Sequence, residues 1–117
     1  MNCTKYTVIK MHTSEFENPL MLSMGDRLII GEKSDDYEAW DGWYFCETEK
    51  HSKGWVPEQI IKWLGDKEGE ALEAYWAKEM NVEKGEVLMG SQILNGWVWC
   101  QRPSTKEEGW VPLENLL

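Results

Sequence analysis

Two stretches with one sequence constrain what this chain can fold into. Residues 54–57 read Gly54-Trp55-Val56-Pro57, and residues 109–112 read Gly109-Trp110-Val111-Pro112. Ahead of them lie Gly42-Trp43-Tyr44-Phe45-Cys46 and Gly96-Trp97-Val98-Trp99-Cys100. Further upstream stand Gly25-Asp26 and Gly85-Glu86, each followed by an apolar run. The three landmarks recur in the same order at offsets of 60, 54 and 55 residues (25 to 85, 42 to 96, 54 to 109). A chain with this self-similarity is a tandem repeat of one small structural unit.

The repeat divides the 117 residues into a first domain over 1–64, a linker over 65–69 and a second domain over 70–117. Units this small bury only a modest share of their surface. Eight tryptophans compensate, because each can bury roughly 150–250 Å². The linker, Gly65-Asp66-Lys67-Glu68-Gly69, is short enough to hold the domains in nearly fixed relative placement.

Strand signals fill both halves, and no segment reads as an amphipathic helix of about ten residues or more. Tyr6–Ile9, Arg27–Ile30, Trp43–Glu47, Trp55-Val56 and Ile60-Ile61 are rich in β-branched and aromatic residues. The second half repeats the plan with Ala71–Tyr75, Val87–Met89, Trp97–Gln101, Trp110-Val111 and Leu113–Leu117. Five short strands per unit predict an all-β chain of two consecutive small, strongly bent β-barrels.

Composition narrows the function. The net charge is −9, with acidic excess in both halves, which disfavours binding to nucleic-acid phosphates and favours a neutral or basic partner. No apolar run reaches the ~18 residues of a membrane span. The N-terminus lacks a signal-peptide pattern, so a soluble, cytoplasmic protein is expected. Cys3, Cys46 and Cys100 form no Cys-x-x-Cys, and His12 and His51 lie far apart, so neither a metal site nor a cofactor is expected. Cys46 and Cys100 hold equivalent repeat positions and read as core residues. No nucleophile elbow or phosphate-cradling glycine loop is present, and an enzyme is not expected.

The ordered landmarks resemble the Src homology 3 (SH3) domain, twice over, and most closely its bacterial variant, which often occurs in tandem. The resemblance implies two SH3-like barrels and a groove for extended peptides. It assigns the groove wall to Trp43 and Trp97, and the Gly-Trp-Val-Pro contributions to Trp55 with Pro57 and Trp110 with Pro112. Of the family's groove tyrosines only Tyr75 survives, in the second half. The other matching positions hold Lys10, His12 and Ile60 in the first half, and Glu73 and Asn115 in the second.

A polyproline II ligand docks between aromatic ridges, and acidic loops beside them can pair with its basic residues. Glu15, Glu17, Asp35 and Asp36 in the first half and Glu79 in the second are candidates for that pairing. The resulting expectation is a non-enzymatic adaptor for short, proline-containing or basic peptides. Its stronger site combines Tyr75, Trp97, Trp110 and Pro112; its weaker site combines Trp43, Trp55 and Pro57. The alternatives are an assembly protein whose aromatics, including Phe45, Trp99, Trp40, Trp63 and Trp76, form apolar seams, or a cell-wall-binding relative. The natural ligand and the oligomeric state stay open.

Overall fold

The computed structural model describes residues 3–14, 19–34 and 42–117. Among them the chain is all-β. It forms a four-stranded, a two-stranded and a five-stranded sheet. None closes into a barrel, where the sequence predicts two small closed ones; the all-β class is as expected.

The described residues group into two compact units, and these are not the two contiguous halves expected. One unit gathers residues of 1–15 with 78–117, and the other is drawn from 16–77. They are called the terminal unit and the central unit below. The chain changes unit twice, once between Ser14 and Pro19 and once after Ala77. The proposed linker is therefore not a plain connection, since part of it lies in a paired strand.

In the central unit the strands are β2 (Met21–Leu22), β3 (Arg27–Lys33), β4 (Trp43–Thr48), β5 (Lys53–Pro57), β6 (Ile61–Trp63), β7 (Glu68–Ala71) and β8 (Tyr75–Trp76). Five of them pair antiparallel in the order β5-β4-β3-β7-β6, and β2 pairs with β8. β1 (Thr4–Thr7) belongs to the terminal unit. There it joins β9 (Val87–Leu94), β10 (Trp97–Gln101) and β11 (Glu108–Pro112) in the order β1-β9-β10-β11. A single 3-10 turn follows β5 at Glu58–Ile60 and β11 at Leu113–Asn115.

Local chemistry explains the shared plan. Gly25 and Gly85 sit at φ +89° and +96°, a region that costs glycine little and other residues more. The acid after each glycine folds back on the turn. Asp26 accepts from the Ser23 amide and Glu86 from the Glu83 amide, both at 2.8 Å. Period-two alternation then sends one face of each strand inward. Leu28, Ile30, Cys46 and Val56 meet Leu20, Leu22, Ile60 and Ile61 in the central core. Leu88, Val98, Cys100 and Val111 meet Val8, Met80, Val82 and Leu116 in the terminal core. Burial pushes the Cys46 and Cys100 thiols up to about 12, the behaviour of small core hydrophobes.

Two expected strands are displaced. The segment read as one strand over Ala71–Tyr75 is divided between β7 and β8. β9 runs from Val87 to Leu94, five residues beyond the strand expected over Val87–Met89. The reversal falls on Asn95 and Gly96, both with positive φ, as a two-residue hairpin requires.

Candidate functional site

Each unit carries an aromatic and proline row on the face of its hairpin opposite the core. In the terminal unit Trp97 lies across from Pro112 and Trp99 from Trp110. In the central unit Trp43 lies across from Pro57 and Phe45 from Trp55. The rings opposite one another pack edge to face, Trp99 with Trp110 and Phe45 with Trp55, each at 5.2 Å between centroids. Both rows follow from two-residue spacing, because Gly-Trp-x-aromatic and Trp-Val-Pro place alternate residues on one face. Trp63 instead packs edge-on against Tyr44.

The rows differ in access. Trp97 is half-buried, whereas Trp43 is buried at 4% exposure. Trp55 is half-buried, and Trp110 is buried at 5%. Pro57 and Pro112 are fully buried. Each proline directly precedes a 3-10 turn, a position that needs no backbone donor from it. Of the wall tryptophans, Trp97 is thus the one with an accessible face.

The neighbours of each row come from the other sequence repeat. Tyr75 was expected beside Trp97, Trp110 and Pro112, which belong to the terminal unit. It lies in the central unit, where its hydroxyl donates to the Trp55 carbonyl at 2.8 Å. The position beside Trp97 is held by His12, whose ring meets the indole edge-on at 5.5 Å. His12 Nε2 lies 2.7 Å from Glu79 Oε1, and the tautomer protonated at Nε2 donates to that carboxylate. Glu79, expected as a loop acid that contacts ligand, thus already has an intramolecular partner. Asn115 fixes the arm carrying His12 by donating through Nδ2 to the carbonyls of Lys10 and Met11, both at 3.1 Å. Glu15, Glu17, Asp35, Asp36 and Trp40 lie outside the described residues.

Beside His12 an open cleft of about 320 Å³ is lined by Met11, Thr13, Asn81, Glu83, Glu86 and Arg102, among others. Sequence reasoning passed over Arg102, although it is one of only five basic residues after position 64. Its guanidinium donates to Glu86 at 2.9 Å, to the Asn81 carbonyl at 2.7 Å, and to Glu107. The Arg102 hydrogen bond holds the Glu86 carboxyl below the usual carboxylate range, and the same partner raises Arg102. Arg102 thereby ties the loop before β9 to the β10–β11 hairpin.

Among the described residues no cluster of His, Cys, Asp and Glu could hold a metal ion. Among the same residues no helix is long and apolar enough to cross a membrane. Comparison with curated proteins and with solved structures gives no match in either case. The family described as variant SH3 domain matches residues 5–64. That segment contributes to both units: β1 and His12 lie in the terminal unit, and β2 to β6 in the central one. SH3 domains are protein-interaction modules. The glycine-acid turn, the wall tryptophan and the Gly-Trp-Val-Pro strand all fall within this match, which covers just over half of the sequence, and the chain belongs to the variant SH3 family.

Proposed function

We propose that this chain is a non-enzymatic adaptor that binds a short extended peptide of a protein partner, and that the terminal unit holds the stronger site. The observation that carries this reading is the half-buried Trp97 ring, flanked by His12 and continued by the half-buried Trp99, with Trp110 and Pro112 packed beneath them. A flat indole with an N–H donor suits a polyproline II segment, which presents ring faces and free carbonyls. The acidic surface adds attraction for a basic residue in the same peptide. In the central unit the burial of Trp43 leaves Trp55, over the Tyr75 hydroxyl, as the accessible part of a weaker site.

Calorimetric titration with basic, proline-containing peptides tests this directly. Trp97→Ala is expected to cost more than about 1 kcal/mol of binding, as aromatic anchors do. Trp43→Ala is expected to lower stability and leave the affinity of the folded fraction unchanged. Unchanged affinity in Trp97→Ala would refute the reading. The burial of Trp43, Trp110 and both prolines supports a second reading, in which the rows are structural and the chain serves assembly. That reading predicts no saturable peptide binding at all.

A further inference from the structure

The two repeats offer nearly equivalent sheet edges to two nearly equivalent first strands. β1 pairs with β9, placing Tyr6 opposite Leu88. β7 pairs with β3, placing Gly69 opposite Leu28. Leu28 and Leu88 occupy matching positions after the glycine-acid turns, so Tyr6 and Gly69 match each other. The backbone bonds beyond them match as well. Val8 exchanges bonds with Gly85 and Glu86, and Ala71 with Gly25 and Asp26, all at 2.8–2.9 Å. Backbone pairing alone therefore gives little reason for either strand to prefer one sheet.

Side-chain size does give a reason. Two residues beyond each leucine, β3 carries Ile30 and β9 carries Gly90. A Cβ built on Gly90 would come within 2.6 Å of the Tyr6 ring. A Cβ built on Gly69 would come within 2.7 Å of Ile30 Cδ1. In the terminal unit the large residue is on the first strand and the small one on the sheet; in the central unit the order is reversed. Pairing each first strand within its own repeat would press Tyr6 against Ile30 and set Gly69 over Gly90. The first juxtaposition is overpacked and the second leaves a void, and close-packed interiors tolerate neither well.

We infer that the size-matched pairs Tyr6–Gly90 and Ile30–Gly69 select the crossed arrangement, in which each repeat completes its sheet with the first strand of the other. The four residues thereby determine what each aromatic row contains. With β1 on β9, the arm after it brings His12 to Trp97; with β7 on β3, the segment after it brings Tyr75 to Trp55. This inference is independent of any ligand.

Engineered disulfides in the full chain read the pairing without a ligand. With Cys3→Ser removing the exposed thiol, Lys5→Cys with Met89→Cys and Glu68→Cys with Ile29→Cys join residues that face each other across crossed pairs. Lys5→Cys with Ile29→Cys and Glu68→Cys with Met89→Cys would join the within-repeat pairs instead. The crossed pairs are expected to close on mild oxidation at monomer mass, while the within-repeat pairs remain thiols. Closure of the within-repeat pairs, or closure of the crossed pairs only between chains, would overturn the inference. Adding Tyr6→Gly and Gly69→Tyr together moves the ring to the other strand. Bridging from Lys5→Cys is then expected to shift from Met89→Cys to Ile29→Cys. A folded variant that keeps the original bridge would show that size does not select the strand. If that variant fails to fold, Tyr6→Ala alone serves: bridging from Lys5→Cys to Ile29→Cys is expected to appear beside that to Met89→Cys, and bridging to Met89→Cys alone would overturn the inference.

Discussion

The terminal and central units share a plan and hold their first strand differently. In the terminal unit the buried Asn115 amide bonds the carbonyls of Lys10 and Met11. In the central unit Ile60 occupies that position as a core residue. Beside the aromatic row the terminal unit sets a His12–Glu79 pair, and the central unit a tyrosine bonded to backbone. At the equivalent positions Asn115 and Ile60, one arm is held by side-chain amide bonds and the other by apolar burial. The wall tryptophan stays accessible in the unit with polar fixation. Matched landmark motifs can therefore carry unlike aromatic rows, because the residues around them come from segments the motifs do not specify.

The largest break in this comparison is expected at the equivalent pair Asn115 and Ile60. Asn115→Ala removes two bonds from a buried site and is expected to cost about 1–3 kcal/mol in urea unfolding. Ile60→Val only trims a buried methylene and is expected to cost about 0.5–1.5 kcal/mol. Equal or inverted costs would show that polar bonds do not dominate the fixation of the N-terminal arm. Tyr75→Phe sharpens the central side. Loss of the hydroxyl bond to Trp55 is expected to cost about 0.5–1.5 kcal/mol, with no effect on peptide affinity at the terminal unit.

The smallest effect concerns pH. Glu86 has its folded-state value lowered by Arg102, so the unfolded chain takes up that proton first as pH falls. Its stabilisation is therefore present at neutral pH and is lost as pH drops below the ordinary carboxylate range through the lowered value. The pair is partly exposed, so its contribution is expected to be no more than about 1 kcal/mol. Arg102→Met should flatten the acid limb of the stability profile by that amount. An unchanged limb would remove Glu86 from the account.

Much of this fold is local and was legible in the sequence. The glycine-acid turns, the two hairpins and the aromatic rows follow from positive-φ glycines and two-residue alternation. The partner of each first strand was not legible. Tyr6–Ile9 and the segment after Gly69 both read as strands, and nothing within either names its sheet. That choice depends on residues far along the chain, Gly90 and Ile30, which read as ordinary members of their own strands. The same ambiguity reaches the site: the resemblance assigns Tyr75 to the groove of the second repeat with Trp97, whereas the structure sets His12 beside Trp97. The burial of Trp43 was equally hidden, since Trp43 and Trp97 have the same local motif and differ only in what surrounds them.

The most direct test of the proposed function is an NMR titration following the eight tryptophan indole N–H signals. Basic, proline-containing peptides and, separately, cell-wall fragments would be added to the full chain. Saturable movement of the Trp97 signal with peptide is expected, with smaller shifts at Trp99 and Trp110 and none at Trp43. Movement of Trp43 alone, movement only with cell-wall fragments, or no movement with peptide would contradict the proposed function.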